Sequence, residues 1–191
     1  MLEIIIQGRG GQGAQTAGNL LALAFFREGR EVQSFASYGG ARRGTPVTSM
    51  IRVDDEPIRL RCEIEAPDAI LCFDQSLLQV GLLERANRDT LIMVNAPGSA
   101  QEWATLAGFQ VFPIDAIAIS QENGLGRIVN SALLGAFCCL LGMPGLDAMS
   151  ATIRESAPLK AEENVAACRA GFEVASRQFA RKQGLREAGA S

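Results

Sequence analysis

Leu2–Gln7 is a short β-branched run, centred on Ile4, Ile5 and Ile6, that stops at glycines, a pattern that predicts a strand buried on both faces. The loop Gly8-Arg-Gly-Gly-Gln-Gly13 follows. From Ala14 to Phe26 the apolar positions Ala17, Leu20, Leu21, Ala24 and Phe25 recur at three- and four-residue steps, which predicts a helix with one apolar stripe. Gly29 supplies its stop. Glu31–Ala36 reads as a second strand, and strand, loop, helix and strand together make a right-handed βαβ unit.

Plain alternation then breaks. Tyr38-Gly-Gly-Ala-Arg-Arg-Gly44 is a second glycine-rich loop, Thr45–Val53 a strand, and Asp54–Pro57 a turn into a short return, Ile58–Arg61. The reading is a hairpin inserted after the second strand. Ala69–Phe73, Thr90–Asn95 and Gln110–Pro113 are further strands, with Ser76–Arg85 helical between the first two. Helices fill the remainder: Ala116–Glu122, Ile128–Leu141 closed at Gly142, Ala148–Glu155 capped by Asp147, and Ala161–Lys182. The last carries Val165, Cys168, Phe172, Ala175 and Phe179 on one face, and Gly184–Ser191 reads as a frayed tail. The expected fold is α/β: a Rossmann-like, open, mostly parallel sheet with a β-hairpin insertion and a helical C-terminal part, one domain over residues 1–191.

Composition narrows the function. Of 191 residues 48% are apolar and 20% charged, which suits a packed core rather than a disordered chain. Eighteen basic and 21 acidic side chains give a net charge of −3, so a general nucleic-acid partner is not expected. There is no histidine, which removes Ser-His-Asp and Cys-His sites and His-ligated zinc from this chain. Five cysteines occur without a Cys-x-x-Cys, so no iron–sulfur cluster is expected on this chain alone, and Cys72, Cys138 and Cys139 read as core thiols in a reducing compartment. The N-terminus lacks a basic lead and turns polar at Gln7, and the apolar stretch Ile128–Gly142 is shorter than the ~20 residues of a bilayer span. A cytoplasmic protein with no membrane contact is the expectation.

The first glycine loop fits G-x-G-x-x-G between a strand and a helix, the context in which backbone amides meet a pyrophosphate. A nicotinamide dinucleotide site also needs an acidic residue some 20 positions on, at the end of the second strand. Ser37, Tyr38 and Gly39 stand there instead. Arg42 and Arg43 keep a 2′-phosphate, hence NADP, open, and the glycines alone could serve only a tight turn. Paired arginines between glycines also suit fork-like recognition of a carboxylate or phosphate, or a merely solvated loop. Asn130, near the start of an apolar helix, either caps it or faces the same crevice. Asp54, Asp55 and Glu56 lie in a turn and Asp74 follows a strand, so no acid–base pair stands out, and no nucleophile can be named.

Taken together, Gly8-Arg-Gly-Gly-Gln-Gly13, Arg42-Arg-Gly-Thr-Pro-Val47, Pro57-Ile-Arg-Leu-Arg61, Asn130-Ser-Ala-Leu-Leu-Gly-Ala136 and Glu163-Asn-Val-Ala-Ala-Cys-Arg-Ala-Gly171 resemble the gamma subunit of the 2-oxoacid:ferredoxin oxidoreductases. The resemblance spans nearly the whole chain, and the arginine-bearing motifs look closer to the pyruvate and branched-chain members. It implies a subunit inactive by itself, in a complex that turns a 2-oxoacid (pyruvate, branched-chain or aryl) into an acyl-CoA. Thiamine diphosphate with magnesium would sit on alpha and beta subunits, and iron–sulfur clusters on a delta subunit passing electrons to ferredoxin, or to NAD through a further subunit. This chain would lie beside the coenzyme A route. The site residues so implied are Gly8, Arg9, Gly10, Gly11, Gln12, Gly13, Arg42 and Arg43, with Thr45 and Asn130, and Tyr38, the chain's one tyrosine, joins them from its place in the second glycine loop, where the chain departs from the family pattern. A stand-alone NADP oxidoreductase and a purely structural assembly subunit remain as alternatives.

The missing ribose acid has a direct consequence. Calorimetric titration of the chain with NAD and NADP is expected to give no specific heat, and a micromolar dissociation constant for either restores the dinucleotide reading.

Overall fold

Three consecutive isoleucines, Ile4, Ile5 and Ile6, are fully buried in β1 (Leu2–Arg9), because side chains of alternate residues enter cores on opposite faces of one sheet. The computed structural model describes residues 1–38, 44–98, 103 and 108–188. The other strands are β2 (Glu31–Tyr38), β3 (Pro46–Asp54), β4 (Ala69–Cys72), β5 (Leu91–Asn95) and β6 (Gln110–Ile114), in the order β2-β3-β1-β4-β5-β6. β3 runs antiparallel to both its neighbours, and the other five strands point one way. Ile4 and Ile6 face a helical layer of α1 (Ala14–Arg27), α3 (Asn130–Leu141), α4 (Leu146–Ser156) and α5 (Ala161–Ala188). Ile5 faces a second core built on Ile64, Leu77, Leu78 and Leu82. The short helix α2 (Ala116–Glu122) follows β6, capped by Asp115, whose carboxylate accepts the Ala118 amide at 3.0 Å.

The mostly parallel α/β architecture is as expected, but the hairpin is not where the sequence put it. β2 and β3 form it, and β3 inserts between β2 and β1, so the two strands of the βαβ unit are not adjacent. Ile58–Arg61 is no strand: both edges of β3 are already taken, leaving a return segment nothing to pair with. A buried cation holds this stretch instead. Arg52, 1% exposed, pairs with Glu3 at 2.7 Å, donates to Gln33 Oε1 and Cys62 O, each at 2.9 Å, and to Glu63 O at 3.3 Å, and lies over the Phe35 ring at 5.7 Å. Glu3, Arg52 and Gln33 are one cross-strand row, so a single guanidinium ties three strands and the following segment together.

Other local expectations shift less. Residues 75–85 are helical, but as three short irregular turns with Gly81 at φ +76° in place of one α-helix. Asp147 does not cap α4: Gly145 holds the N-cap position, and the Asp147 carboxylate pairs with Arg169 of α5 at 3.0 Å. α5 continues through Gly184 to Ala188, since one helical glycine costs only about 1 kcal/mol beside good helix formers.

α3 and α5 cross backbone to backbone. A Cβ on Gly135 would fall on the Cys168 carbonyl, and one on Gly171 on the Ala132 carbonyl, so each helix carries a glycine where the other approaches. Gly135→Ala is therefore expected to cost at least about 1–3 kcal/mol through overpacking, read as a lowered urea midpoint. An unchanged midpoint would mean that the helices can separate without penalty.

Candidate functional site

The chain leaves β1 for β2 and β3 on one side of the sheet and later returns through β4 on the other, so the carboxyl ends of β1 and β4 form a switch point, where open α/β sheets place ligands. A cleft of about 410 Å³ opens there. Gly11, Gln12 and Gly13 form one wall, Arg127, Ile128, Val129 and Asn130 the other, with Phe73 and Asn95 beneath. Asn95 stiffens the base: its amide donates to Phe73 O and accepts the Ala116 N–H, each at 3.2 Å, joining the ends of β4 and β5 to α2.

Two helices point their N-termini into this cleft. Neither α1 nor α3 has a side-chain cap or an acidic residue in its first turn, so their positive ends are not neutralised from within. Asn130, the first residue of α3, donates from Nδ2 to Gly13 O at 3.2 Å, linking the two helix starts. Gly13 has φ +89°, and a Cβ there would lie 2.6 Å from that amide nitrogen, so both backbone conformation and space demand glycine. Arg127 stands exposed at the mouth, without a carboxylate partner among the described residues. Exposed Ile117 and Ile128 border the cleft, adding apolar rims to a positive interior. The arrangement suits an anion carried on a larger, partly apolar molecule.

Behind the loop lies a polar network. The Asp74 carboxylate accepts from Arg9 Nε at 3.1 Å and Gln12 Nε2 at 3.2 Å, and from the Ser76 amide and hydroxyl at 3.0 and 2.6 Å. Arg9 also donates to Ser76 Oγ at 2.7 Å and to Gly44 O at 3.3 Å, and its backbone N–H to Gln12 Oε1 at 2.7 Å. Partial burial pushes the Asp74 carboxyl up, but the Ser76 and Gln12 hydrogen bonds and the Arg9 charge outweigh it and hold it below the ordinary value of 3.8.

Of the residues expected at the site, Gly11, Gln12, Gly13 and Asn130 line the cleft, and Asn130 faces it instead of capping α3. Gly8, Arg9 and Gly10 stand behind it: Gly10 N–H donates to Thr45 O at 2.9 Å, and the Arg9 guanidinium turns to Asp74. Tyr38 ends β2 opposite Val47. Arg42 and Arg43 lie outside the described residues. Sequence reasoning passed over Asp74 as a residue after a strand and missed Arg127 and Asn95. Asp74 follows β4 and Asn95 ends β5, and polar residues at the carboxyl ends of parallel strands were the available signal. Among the described residues no group of three or more Cys, Asp or Glu is placed to hold a metal ion, and no helix is long and apolar enough to cross a membrane.

Fold and cleft define an α/β domain that presents an anion-accepting crevice at a switch point. The sequence matches the family described as pyruvate ferredoxin/flavodoxin oxidoreductase over residues 3–174, and the chain belongs to that family. It is 38% identical over 176 residues to pyruvate synthase subunit PorC of Methanothermobacter marburgensis, covering 91% of this chain and 97% of that one. It is 37% identical over 180 residues to the pyruvate/ketoisovalerate oxidoreductases common subunit gamma of Pyrococcus abyssi, covering 91% and 96%. The crystal structure of pyruvate oxidoreductase subunit PORC from Thermotoga maritima superposes with a TM-score of 0.78 at 31% identity, over 90% of this chain and 95% of that one. The gamma-subunit resemblance drawn from scattered motifs thus holds across most of the chain.

None of the cysteines is among the residues that line the cleft. Burial pushes Cys72 and Cys168 up to about 12 and Cys138 well above 9.0, whereas Cys62 is exposed. A thiol that burial pushes so far up stays protonated near neutral pH and is inert as a nucleophile. Titration of the native chain with an aromatic disulfide is expected to modify Cys62 fast, and Cys72, Cys138 and Cys168 only after unfolding. Rapid labelling of Cys72 in the native chain would contradict the buried second core.

Proposed function

We propose that this chain works as the gamma subunit of a cytoplasmic, multisubunit 2-oxoacid:ferredoxin oxidoreductase and that its switch-point cleft steadies an anionic group of coenzyme A. The supporting observation is that two uncapped helix N-termini and Arg127 converge on one cleft that carries no acid–base pair. A phosphate there would meet helix-end N–H groups, the Asn130 amide and a guanidinium without a carboxylate rival. The apolar rims would take the less polar part of the molecule.

In this reading the alpha and beta subunits hold thiamine diphosphate and magnesium, which supply the decarboxylation of the 2-oxoacid. A delta subunit would carry iron–sulfur clusters that supply one-electron transfer to ferredoxin, and coenzyme A would supply the thiol for the acyl group. The residues of this chain bind and orient, and none of them takes or gives an electron. The substrate is pyruvate or a branched-chain 2-oxoacid, in keeping with the names of the relatives at 37–38% identity. Arg42 and Arg43 serve either the same phosphate or a carboxylate of the thiamine-bearing chain.

The test uses the reconstituted complex. Arg127→Ala should raise the KM for coenzyme A about tenfold, as for one lost charge-assisted bond, with the KM for the 2-oxoacid little moved and Arg127→Lys recovering part of the loss. Arg43→Ala should do the same if it meets the phosphate, or shed partner subunits on size exclusion if it meets a protein. Wild-type coenzyme A dependence in Arg127→Ala would remove the cleft from the coenzyme A site.

A further inference from the structure

Asp74 reaches both ends of the turn that builds the cleft. Arg9–Gln12 is closed by its own atoms, Gln12 N–H donating to Arg9 O at 2.9 Å and Arg9 N–H to Gln12 Oε1 at 2.7 Å. Nothing in those two bonds fixes where the turn sits relative to the sheet. One oxygen of Asp74 does so, taking the Arg9 and Gln12 side chains together, while the other is anchored by Ser76 on the far side of the switch point. The Cys72 thiol in turn donates to Asp74 O at 3.0 Å, seating the residue against the end of β4. Arg9 carries the same restraint onward to Gly44 O at 3.3 Å.

The network also sets a charge. Arg9 is the cation of the glycine loop, yet it does not line the cleft, and its charge is spent on Asp74 at 3.1 Å. Gln12 lines the cleft with its amide drawn back to the same carboxylate. Among the described residues the cleft thus keeps Arg127 as its guanidinium, on the wall opposite the loop.

We infer that Asp74 is a positioning residue: it latches Arg9 and Gln12 to the end of β4, cancels the Arg9 charge, and so fixes the backbone of Gly11 and Gly13 in the form that receives the anion. The latch stands on the geometry alone, and its kinetic consequence rests on the coenzyme A reading above. Losing the carboxylate lets the turn move, so a pre-organised wall becomes one that must be ordered on each binding event, a cost that outweighs any attraction from the released Arg9 guanidinium behind the cleft.

The experiment compares Asp74→Asn, Asp74→Glu, Ser76→Ala, Arg9→Ala and the Arg9→Ala/Asp74→Asn double variant in the assembled complex, by amide hydrogen exchange over residues 8–13 and by steady-state kinetics. Asp74→Asn keeps the shape and loses the charge. Its loop amides should exchange about tenfold faster. The KM for coenzyme A should rise about tenfold, with the greater part of the lost kcat/KM in KM, and Asp74→Glu should recover part of both. The Arg9 and Asp74 single effects should fall well short of adding in the double variant, because both remove one interaction. Should Asp74 variants fail to assemble, Ser76→Ala carries the test, with a smaller shift in the same direction and no change of charge. Unchanged exchange in Asp74→Asn, or strictly additive Arg9 and Asp74 effects, overturns the latch. Faster exchange with an unmoved coenzyme A KM upholds the latch and overturns the coenzyme A reading of the cleft.

Discussion

β1 is paired along its whole length with antiparallel β3 on one edge and, over Ile4–Gln7, with parallel β4 on the other. The chain that leaves its carboxyl end must therefore pass between the start of β3 and the exit of β4. That confinement builds the cleft wall: Gly10 is held by Thr45 O on the β3 side, and Arg9 and Gln12 by Asp74 on the β4 side. α1 then has to start at the same spot, which brings its N-terminus to face that of α3. A loop that looks like a flexible glycine stretch is thus held from both sides before any ligand arrives.

The same strand row carries the largest buried charge. Burying a guanidinium costs several kcal/mol unless its donors are satisfied. Arg52 meets that condition with Glu3, Gln33 and two backbone carbonyls of the segment that follows β3. The ion pair spans the three strands whose order is least evident from hydrophobicity, and sliding any of them by one residue would carry one partner to the opposite face. Its partners lie on all three strands, so it constrains their register.

The titratable groups behind the cleft are tied up in the fold. The chain's most buried thiols are held far from ionisation, its best-placed carboxylate is committed to a latch, and its cleft is positive without being reactive. In the reading proposed above, such a molecule contributes by placing an anion and a backbone.

The sequence by itself determined the local elements: the alternation of buried faces in β1, the apolar stripe of α1, and the stops at Gly29 and Gly142. These follow from periodicity and from left-handed glycine conformations, which act over a few residues, whereas the choice of Asn130 between capping its helix and facing the crevice did not. Tertiary structure alone decided that β3 lies between β1 and β2, that Arg52 is buried, that Gly135 and Gly171 face each other's helix, and that Arg9 looks away from the cleft toward Asp74. Each of those is a competition between partners distant in sequence for one edge, one cavity or one charge, and the winner is set by what else is already buried, which no local pattern records.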